Sequence, residues 1–387
     1  MGIPLRYGCN PHQTPATVSS RDGALPLRVL NGEASYINIL DALTGWQLVR
    51  ELSATTGKPA AASYKHVSPV GAAVAGPVSA EFARAQFLEA PFEDPLARAY
   101  VRARGADRVS SFGDAVAVSH TAGVELAAIL KREVSDLMIA PGYEPEALEL
   151  LRSKKGGRYL VLEMDPAFVP SPIEQRDVFG LTLEQPRNGQ RITPELFRTD
   201  STDRISDEVV ETLVVATVAL KYTQSNSVCI AWRGQVIGMA AGQQSRIHCT
   251  RLACAKAERW MLQTHPKVLA LQFPPGLSRP ERANAVDQFV LWDELAGSER
   301  AGFIATLGYA PEPLTPEERA EWFATFPDLC LSSDAFIPFR DNLDRAARTG
   351  VKYVAHAGGA VRDDSIRAAA EEHDMLMIET GVRCFFH

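Results

Sequence analysis

The stretch LMIAPGYEPEALELLRSKKGGRYLVL, residues 137–162, contains an apolar run, a Pro-Gly turn, a helical run and a second apolar run, in that order. Short apolar runs bounded by turn residues are typical of buried strands, and residues 144–152 have helical spacing. The stretch VKYVAHAGGAVRDDSIRAAAEEHDMLMI, residues 351–378, repeats this order. Two occurrences of strand, helix and strand predict an α/β fold with an internal duplication.

A second correspondence involves two helices that each lead into a polar loop. Residues 37–56 have apolar side chains at helical spacing and are followed by a short apolar strand, 60–64, and then Lys65-His66. Residues 206–221 are also helical and lead into the polar segment 222–227. We expect the two polar segments to face one another.

Further elements follow from turn and capping signals. Arg233-Gly234 between two apolar runs predicts a β-hairpin, and residues 246–262 have the pattern of a helix. Thr315 followed by Pro316 and two glutamates predicts a capped helix start. A chain of 387 residues is long enough for two domains or one large duplicated domain, and we place the division in the polar stretch 185–202, giving halves 1–195 and 196–387.

Composition and missing motifs exclude several classes of protein. The net charge of −7 without a basic block argues against a nucleic-acid partner, and no apolar run reaches the roughly 18 to 20 residues of a membrane span. We therefore expect a cytoplasmic protein with reduced thiols, since its six cysteines form no CxxC pair. The nucleotide-binding motifs GxxxxGK[ST] and GxGxxG are absent, as are HExxH and the zinc-deaminase signature.

Lys65-His66 is the strongest candidate for acid–base chemistry. A lysine beside a histidine in a partly desolvated pocket raises the cost of protonating the imidazole and favours its neutral form, which a general base needs. An isolated Lys-His pair is more often an ordinary pair of surface residues, so the motif alone decides nothing.

Three other clusters are open to two interpretations each. The segment 6–12 contains an arginine suited to phosphate, or it is a terminal arm packed on the body. The segment 241–248 opens a helix where an anion could bind, or it is a plain helix start. The segment 332–342 interleaves aromatic residues with carboxylates and could hold a flat heterocycle, or it is a loop with buried phenylalanines.

Taken together, these segments resemble the aminoimidazole-carboxamide ribonucleotide (AICAR) transformylase domain of bifunctional purine-biosynthesis proteins that also contain an inosine monophosphate (IMP) cyclohydrolase. The resemblance runs from Leu5 to His387. The motifs that carry it are RYGCNPHQTPA, SYKHVSPVGAAV, ARARGADRVSSFGD, REVSDLMIAPGYE, KYTQSNSVC, GQQSRIHCTRLA, SSDAFIPFRDN and the terminal RCFFH.

The resemblance implies a formyl transfer from 10-formyltetrahydrofolate to the 5-amino group of AICAR. His66 would be the general base and Lys65 the transition-state stabiliser. The residues implied to contact the nucleotide are Arg6, Tyr7, Gly113, Asp136, Asn226, Arg246 and Arg383. Those implied to contact the folate are Ile247, Phe336, Asp341, Ala360 and Val361.

The resemblance also implies a duplicated cytidine-deaminase-like fold without the zinc site, and active sites shared across a homodimer. No transition metal is expected, although a structural monovalent cation such as K⁺ belongs to the family pattern. The roughly 200 residues of the cyclohydrolase domain have no counterpart in the sequence, so we expect ring closure to depend on a separate IMP cyclohydrolase or the chain to be a shortened form. Two alternative hypotheses for the function are a zinc deaminase and a catalytically silent nucleotide-binding partner.

Overall fold

The architecture is that of a computed structural model, which describes residues 2–21, 23–198, 205–361 and 363–387. Strands and helices alternate over most of this length. The strands are β1 Ile3–Leu5, β2 Ala16–Val18, β3 Leu27–Asn31, β4 Ala60–Lys65, β5 Ser68–Val74, β6 Asp114–Val118, β7 Ser135–Ala140, β8 Leu160–Met164, β9 Ile173–Val178, β10 Leu181–Pro186, β11 Val228–Trp232, β12 Gln235–Ala240, β13 Leu329–Ser333, β14 Val351–His356 and β15 Leu376–Glu379.

Helices connect and cover these strands. The α-helices are α1 Tyr36–Thr56, α2 Ala80–Ala85, α3 Pro95–Arg104, α4 Val124–Lys131, α5 Pro145–Arg152, α6 Asp207–Lys221, α7 Arg246–Leu262, α8 Pro266–Leu269, α9 Arg279–Val290, α10 Gly297–Leu307, α11 Pro316–Phe323, α12 Asp341–Thr349 and α13 Asp363–Glu372. Short 3₁₀ turns occupy Lys154–Gly157, Pro194–Phe197 and Trp292–Glu294.

Eleven of the described strands form one mixed sheet in the order β15-β14-β13-β11-β12-β5-β4-β6-β7-β8-β3. The α/β fold class is therefore confirmed. Parallel pairing occurs on each side of the sheet, between β6, β7 and β8 and between β13, β14 and β15. The remaining pairs are antiparallel, including the central pairing of β12 with β5 at Gln235 and Ala73.

Counted outward from the centre, the two sides of this sheet have the same strand order and the same pattern of parallel and antiparallel pairing. On one side β5-β4-β6-β7-β8 begins with an antiparallel hairpin and ends with two parallel pairs. On the other side β12-β11-β13-β14-β15 does the same. Because β5 and β12 are antiparallel neighbours, the two groups are related by an approximate two-fold rotation. The same pairing pattern therefore occurs over five strands on each side of the sheet.

Local predictions from the sequence agree with the observed elements. The expected helix at 37–56 is α1, which begins at the Ser35 cap and ends at Gly57 in the left-handed conformation. The hairpin around Arg233-Gly234 and the helix at 246–262 are β11–β12 and α7. Thr315 caps α11, and the Glu318 carboxylate accepts from the Thr315 backbone N–H at 2.9 Å.

A helical insertion between α7 and β13 was not predicted as a unit. Helices α8 to α11 surround a small core of their own, which includes Phe289, Phe303 and Leu307. The two larger cores lie on opposite faces of the sheet. One of these faces is covered by α1 and α6, and it is this face that positions the candidate site.

Helix α1 approaches the sheet closely because Gly45 has no side chain. A Cβ atom at Gly45 would lie 2.9 Å from the Cβ of Ala117 and 3.2 Å from the ring of Tyr64. Helix α1 leads into β4, so its N-terminal end lies near the end of β4. No helix in the described part of the chain combines the length and hydrophobicity that a bilayer crossing requires.

Candidate active site

Lys65 and His66 lie at the tip of the β4–β5 hairpin. Lys65 pairs with Ser68, so His66 and Val67 form a two-residue turn, with φ of 44° and 60°. Two-residue hairpins prefer such a turn, but a β-branched valine in the left-handed region is strained. Lys65 is half-buried and His66 is exposed. The partly desolvated setting expected for the histidine is therefore not present in the single chain, because the turn carries His66 beyond the edge of the sheet.

Asp41 of α1 holds this turn. Its Oδ1 accepts a hydrogen bond from the Val67 N–H at 2.6 Å. Its carboxylate also interacts electrostatically with the side chains of His66 and Lys65. Burial raises the pKa of Asp41, while the backbone N–H groups of Val67 and His66 and the electrostatic interaction with the side chains of His66 and Lys65 act in the opposite direction. Sequence reasoning missed Asp41. A carboxylate at an otherwise apolar helix face was the available signal.

Gly113 and Asp136 lie at the same edge of the sheet as the hairpin tip. Strand β6 starts at Asp114 and pairs with β4 through Ala115 and Tyr64, and β7 is the next strand. With a strand spacing of about 4.8 Å, Asp136 is roughly 10 Å along the edge from β4. Asp136 is exposed, and Lys155 donates to its Oδ1 at 2.5 Å. Gly113, with φ of +70°, leaves open backbone beside Asp136.

The predicted polar segment 222–227 contacts the hairpin, as expected. The Gln224 N–H donates to Ser68 Oγ at 3.4 Å, and the buried Tyr64 hydroxyl donates to the Tyr222 carbonyl at 3.1 Å. Burial raises the pKa of Tyr64 well above its ordinary value, so this hydroxyl keeps its proton and remains a donor. The β4–β5 hairpin is thus tied directly to the loop that contains Asn226.

Arg246, which the resemblance implies to contact the nucleotide, has its positive charge compensated within the protein. Its side chain is buried, and its Nη1 forms an ion pair with the fully buried Asp334 and donates to the Ser227 carbonyl at 2.9 Å. Its Nη2 donates to Asn226 Oδ1 at 2.8 Å. A buried guanidinium needs such compensation, since an unpaired buried charge is costly. Arg246 therefore orients Asn226 rather than presenting an unpaired charge.

Arg6 and Arg383 are the exposed arginines among the predicted nucleotide ligands, and within the described residues neither forms an ion pair with a carboxylate. The Arg6 backbone N–H donates to Ala34 O at 2.9 Å, and the Tyr36 N–H donates to Tyr7 O at 3.1 Å. These bonds place the arm beside the start of α1, at the same edge as His66. The guanidinium of Arg383 lies 4.8 Å from the ring centroid of Phe385.

The aromatic segment after β13 is open to solvent. Phe336 is 46% and Phe339 52% exposed, so the alternative of a loop with buried phenylalanines is wrong. Asp341 begins α12 and is also exposed, whereas Ile247 in the first turn of α7 is half-buried. An exposed phenylalanine beside a carboxylate offers a flat apolar surface for a heterocycle.

Ala360 and Val361 follow β14 and lie far from the hairpin tip within one chain. Five strand spacings separate β14 from β4 in the sheet order, which corresponds to roughly 24 Å. Val361 is fully exposed. The structure therefore gathers Lys65, His66 and Asn226 at one place. It leaves Ala360 and Val361, two of the five residues predicted to bind folate, at another place on the same edge.

A network of buried charged and polar side chains joins α3, β4 and β6. Asp114 Oδ2 pairs with Arg104 at 2.9 Å and accepts from Ser63 Oγ at 2.6 Å. Burial raises the pKa of Asp114, although Arg104 and Ser63 lower it. Because Ser63 precedes the hairpin tip in β4, this network fixes the strand that carries Lys65. It was not recognised in the sequence.

The cysteines and carboxylates do not form a metal site within the described residues. All six cysteines are free thiols, as expected. Cys249 lies beside Arg246, and burial raises the pKa of its thiol to about 11, which keeps it protonated and poorly nucleophilic. Cys384, whose role was not predicted, is buried, and its N–H donates to the Asp334 carbonyl at 2.8 Å.

A family model and individual relatives of this chain point to the same family. Residues 2–256 match the model of a family described as AICARFT/IMPCHase bienzyme. Relatives named bifunctional purine biosynthesis protein PurH include those of Magnetococcus marinus, 30% identical over 99% of this chain, and Xylella fastidiosa, 29% identical over 99%. The chain spans 59% of the length of the first relative and 58% of the second.

Proposed function

The chain belongs to the AICARFT/IMPCHase bienzyme family, and on that basis we propose that it is an AICAR formyltransferase of purine (IMP) biosynthesis. It transfers the formyl group of 10-formyltetrahydrofolate to the 5-amino group of AICAR, giving formyl-AICAR and tetrahydrofolate. The observation that carries the proposal is the contact between the Lys65-His66 hairpin and the Asn226 loop, through Ser68 and Gln224. This contact supports the proposal because it joins the hairpin that carries Lys65 and His66 to the loop that carries Asn226.

His66 takes the proton of the weakly nucleophilic amino group as that nitrogen bonds to the formyl carbon. Proton removal assists a poor nucleophile most at this step, because the nitrogen becomes strongly acidic as the bond forms. Lys65, one residue away, stabilises the negative charge that develops on the formyl oxygen. Its half-buried position strengthens this interaction relative to bulk water.

Arg6, Tyr7, Gly113, Asp136, Asn226 and Arg383 bind the nucleotide, and Arg246 acts on it through Asn226. The exposed Arg6 and Arg383 supply the uncompensated positive charge that an anionic nucleotide needs in a chain of net charge −7. Phe336 and Asp341, with Ile247, Ala360 and Val361, bind the folate.

Each half, 1–195 and 196–387, adopts a cytidine-deaminase-like fold without its zinc site. The repeated strand order supports this proposal, since each half contains a hairpin followed by three parallel strands. A bound monovalent cation such as K⁺ would have a structural role. Ring closure of the product would belong to an IMP cyclohydrolase.

The active enzyme is a homodimer whose sites are completed across the interface. Two features support a second copy. His66, Phe336 and Val361 are exposed in one chain, and the folate residues at 360–361 lie roughly 24 Å from β4. The β9–β10 hairpin is also almost wholly exposed, including Phe179 and Leu181, and a two-stranded hairpin is only marginally stable without packing partners.

The test is an absorbance assay with purified chain, AICAR and 10-formyltetrahydrofolate, in which tetrahydrofolate appears with time. Correctly folded dimer that produces none would favour the silent nucleotide-binding partner. A zinc deaminase would instead contain about one zinc per chain by metal analysis and release ammonia from its substrate. Neither result is expected.

A further inference from the structure

The hairpin that carries His66 has a structural counterpart in the other half of the chain. In the β4–β5 hairpin the turn residues are His66 and Val67, and in β11–β12 they are Arg233 and Gly234. All four have positive φ, at 44°, 60°, 47° and 71°. Each hairpin also has a register shift at the same distance from its turn, between Ser63 and Tyr64 in one and between Ile230 and Ala231 in the other. The two turns are therefore the same backbone motif.

Each turn is held by a side chain from the equivalent position of an equivalent helix. Asp41 is the sixth residue of α1, and its Oδ1 accepts from the Val67 N–H at 2.6 Å. Thr212 is the sixth residue of α6, and its Oγ1 accepts from the Gly234 N–H at 2.9 Å. Both acceptors satisfy the N–H of the second turn residue.

The difference between the acceptors is charge. A neutral hydroxyl is sufficient to hold the Arg233-Gly234 turn, so the fold by itself does not require a carboxylate at this position. Asp41 is buried, and burial disfavours its charged form, as the direction of its pKa shift indicates. The attraction to His66 and Lys65 acts the other way. The carboxylate of Asp41 lies beside His66 and Lys65, the two residues that distinguish this hairpin, because it is bonded to the N–H of Val67.

We infer that Asp41 is a positioning residue for His66, with two separable effects. Its oxygen fixes the left-handed His66-Val67 turn through the Val67 N–H, and its negative charge stabilises the positive charge that the imidazole gains when it takes up a proton. Asp41 contacts the turn and acts on the reaction through His66. The kinetic consequence rests on the proposed formyl transfer, whereas the effect on the turn does not.

Two substitutions separate these effects. Asp41→Asn keeps an acceptor oxygen for the Val67 N–H and removes the charge, and Asp41→Ala removes both. In the dimeric full chain, Asp41→Asn should lower kcat by about tenfold or more, since one charge pair near a protein surface is worth that order of free energy, and leave KM for AICAR within about threefold. Its Val67 amide should remain protected from hydrogen exchange. Asp41→Ala should be slower still and lose that protection.

Thr212→Val is the matched control, because it removes the acceptor of the counterpart turn. It should expose the Gly234 amide to exchange and leave kcat unchanged. Wild-type kcat in Asp41→Asn would overturn the role of the charge, as would an equal loss of kcat in Thr212→Val. Unchanged Val67 protection in Asp41→Ala would overturn the role in the turn. If the wild-type chain transfers no formyl group, the proposed function fails and the kinetic half of the inference fails with it, while the exchange measurement still decides the structural half.

Discussion

The turns at 65–68 and 232–235 have the same geometry at different conformational cost. At the second turn residue one has Val67 and the other Gly234, both with positive φ. Glycine adopts this region freely, whereas a β-branched residue there costs about 1–3 kcal/mol. The unstrained residue, Gly234, thus occurs in the turn that only connects strands. The strained residue, Val67, occurs in the turn that carries His66. Local strain of this kind is typical of functional sites.

The tips also differ in what surrounds their side chains. Arg233 lies 3.5 Å from the Glu208 carboxylate, and its guanidinium is 4.5 Å from the Trp232 ring centroid. Its charge is compensated locally, and it lies at the opposite edge of the sheet. His66 adjoins Lys65 and Asp41 and is exposed at the edge shared with Asn226. Equivalent backbone positions therefore carry one stabilised surface cation and one candidate base.

The largest expected effect is that of His66→Ala. Formyl transfer should fall by about 10²- to 10⁴-fold, the usual contribution of a general base, while AICAR affinity stays within about tenfold because the base acts mainly in the transition state. Steady-state assays and calorimetric titration with AICAR measure the two quantities.

Arg233→Ala at the counterpart tip is the control and should retain turnover within about twofold. A His66→Ala enzyme with more than a tenth of the wild-type rate would contradict the assignment of the base.

Gly234→Val should come next, as it imposes the strained residue on the counterpart turn. A Cβ there would lie 3.0 Å from both Glu211 Oε1 and Val74 Cγ2, and φ is +71°. Strain and crowding together should lower the free energy of unfolding by about 2–4 kcal/mol. Urea denaturation measures this loss.

The reverse change, Val67→Gly, relieves the left-handed strain but increases the freedom of the unfolded chain. Its effect on stability should be smaller than that of Gly234→Val. Equal losses in the two variants would mean that residue type at this turn position has no bearing on strain.

The smallest effect concerns Asp41 and pH. Its folded-state pKa is raised, so its contribution to stability is fully present below the ordinary aspartate value of 3.8 and is lost as pH rises through the folded value. Asp41→Asn does not titrate and escapes this loss. The variant should therefore be more stable than wild type at neutral pH, and the difference should shrink on acidification below 3.8.

Denaturation curves of both proteins across this pH range test the expectation. A variant less stable than wild type at pH 7 would show that the carboxylate is retained for stability rather than for its effect on His66.

Local sequence signals identified most elements of the fold because their causes lie within a few residues. The apolar spacing of 37–56 with Gly57 after it specified α1, and Arg233-Gly234 between two apolar runs specified a hairpin. The Lys65-His66 pair was visible for the same reason, as was its place at the end of a strand. The His66-Val67 turn itself was not predicted, since valine is an unfavourable residue at a position with positive φ.

Tertiary structure decided what these local pieces do. The pairing of β12 with β5, the ion pair of Arg246 with Asp334 and the contact of Asp41 with Val67 each join residues far apart in the chain. The sequence does not reveal that Arg246 is paired within the protein, because its carboxylate partner is 88 residues away. Residue type and spacing determine which chemical groups the chain contains and which local backbone conformations are low in energy. Burial and charge compensation depend on which distant groups the folded chain brings together. Burial and compensation in turn determine whether a charged side chain is paired within the protein or available to a ligand.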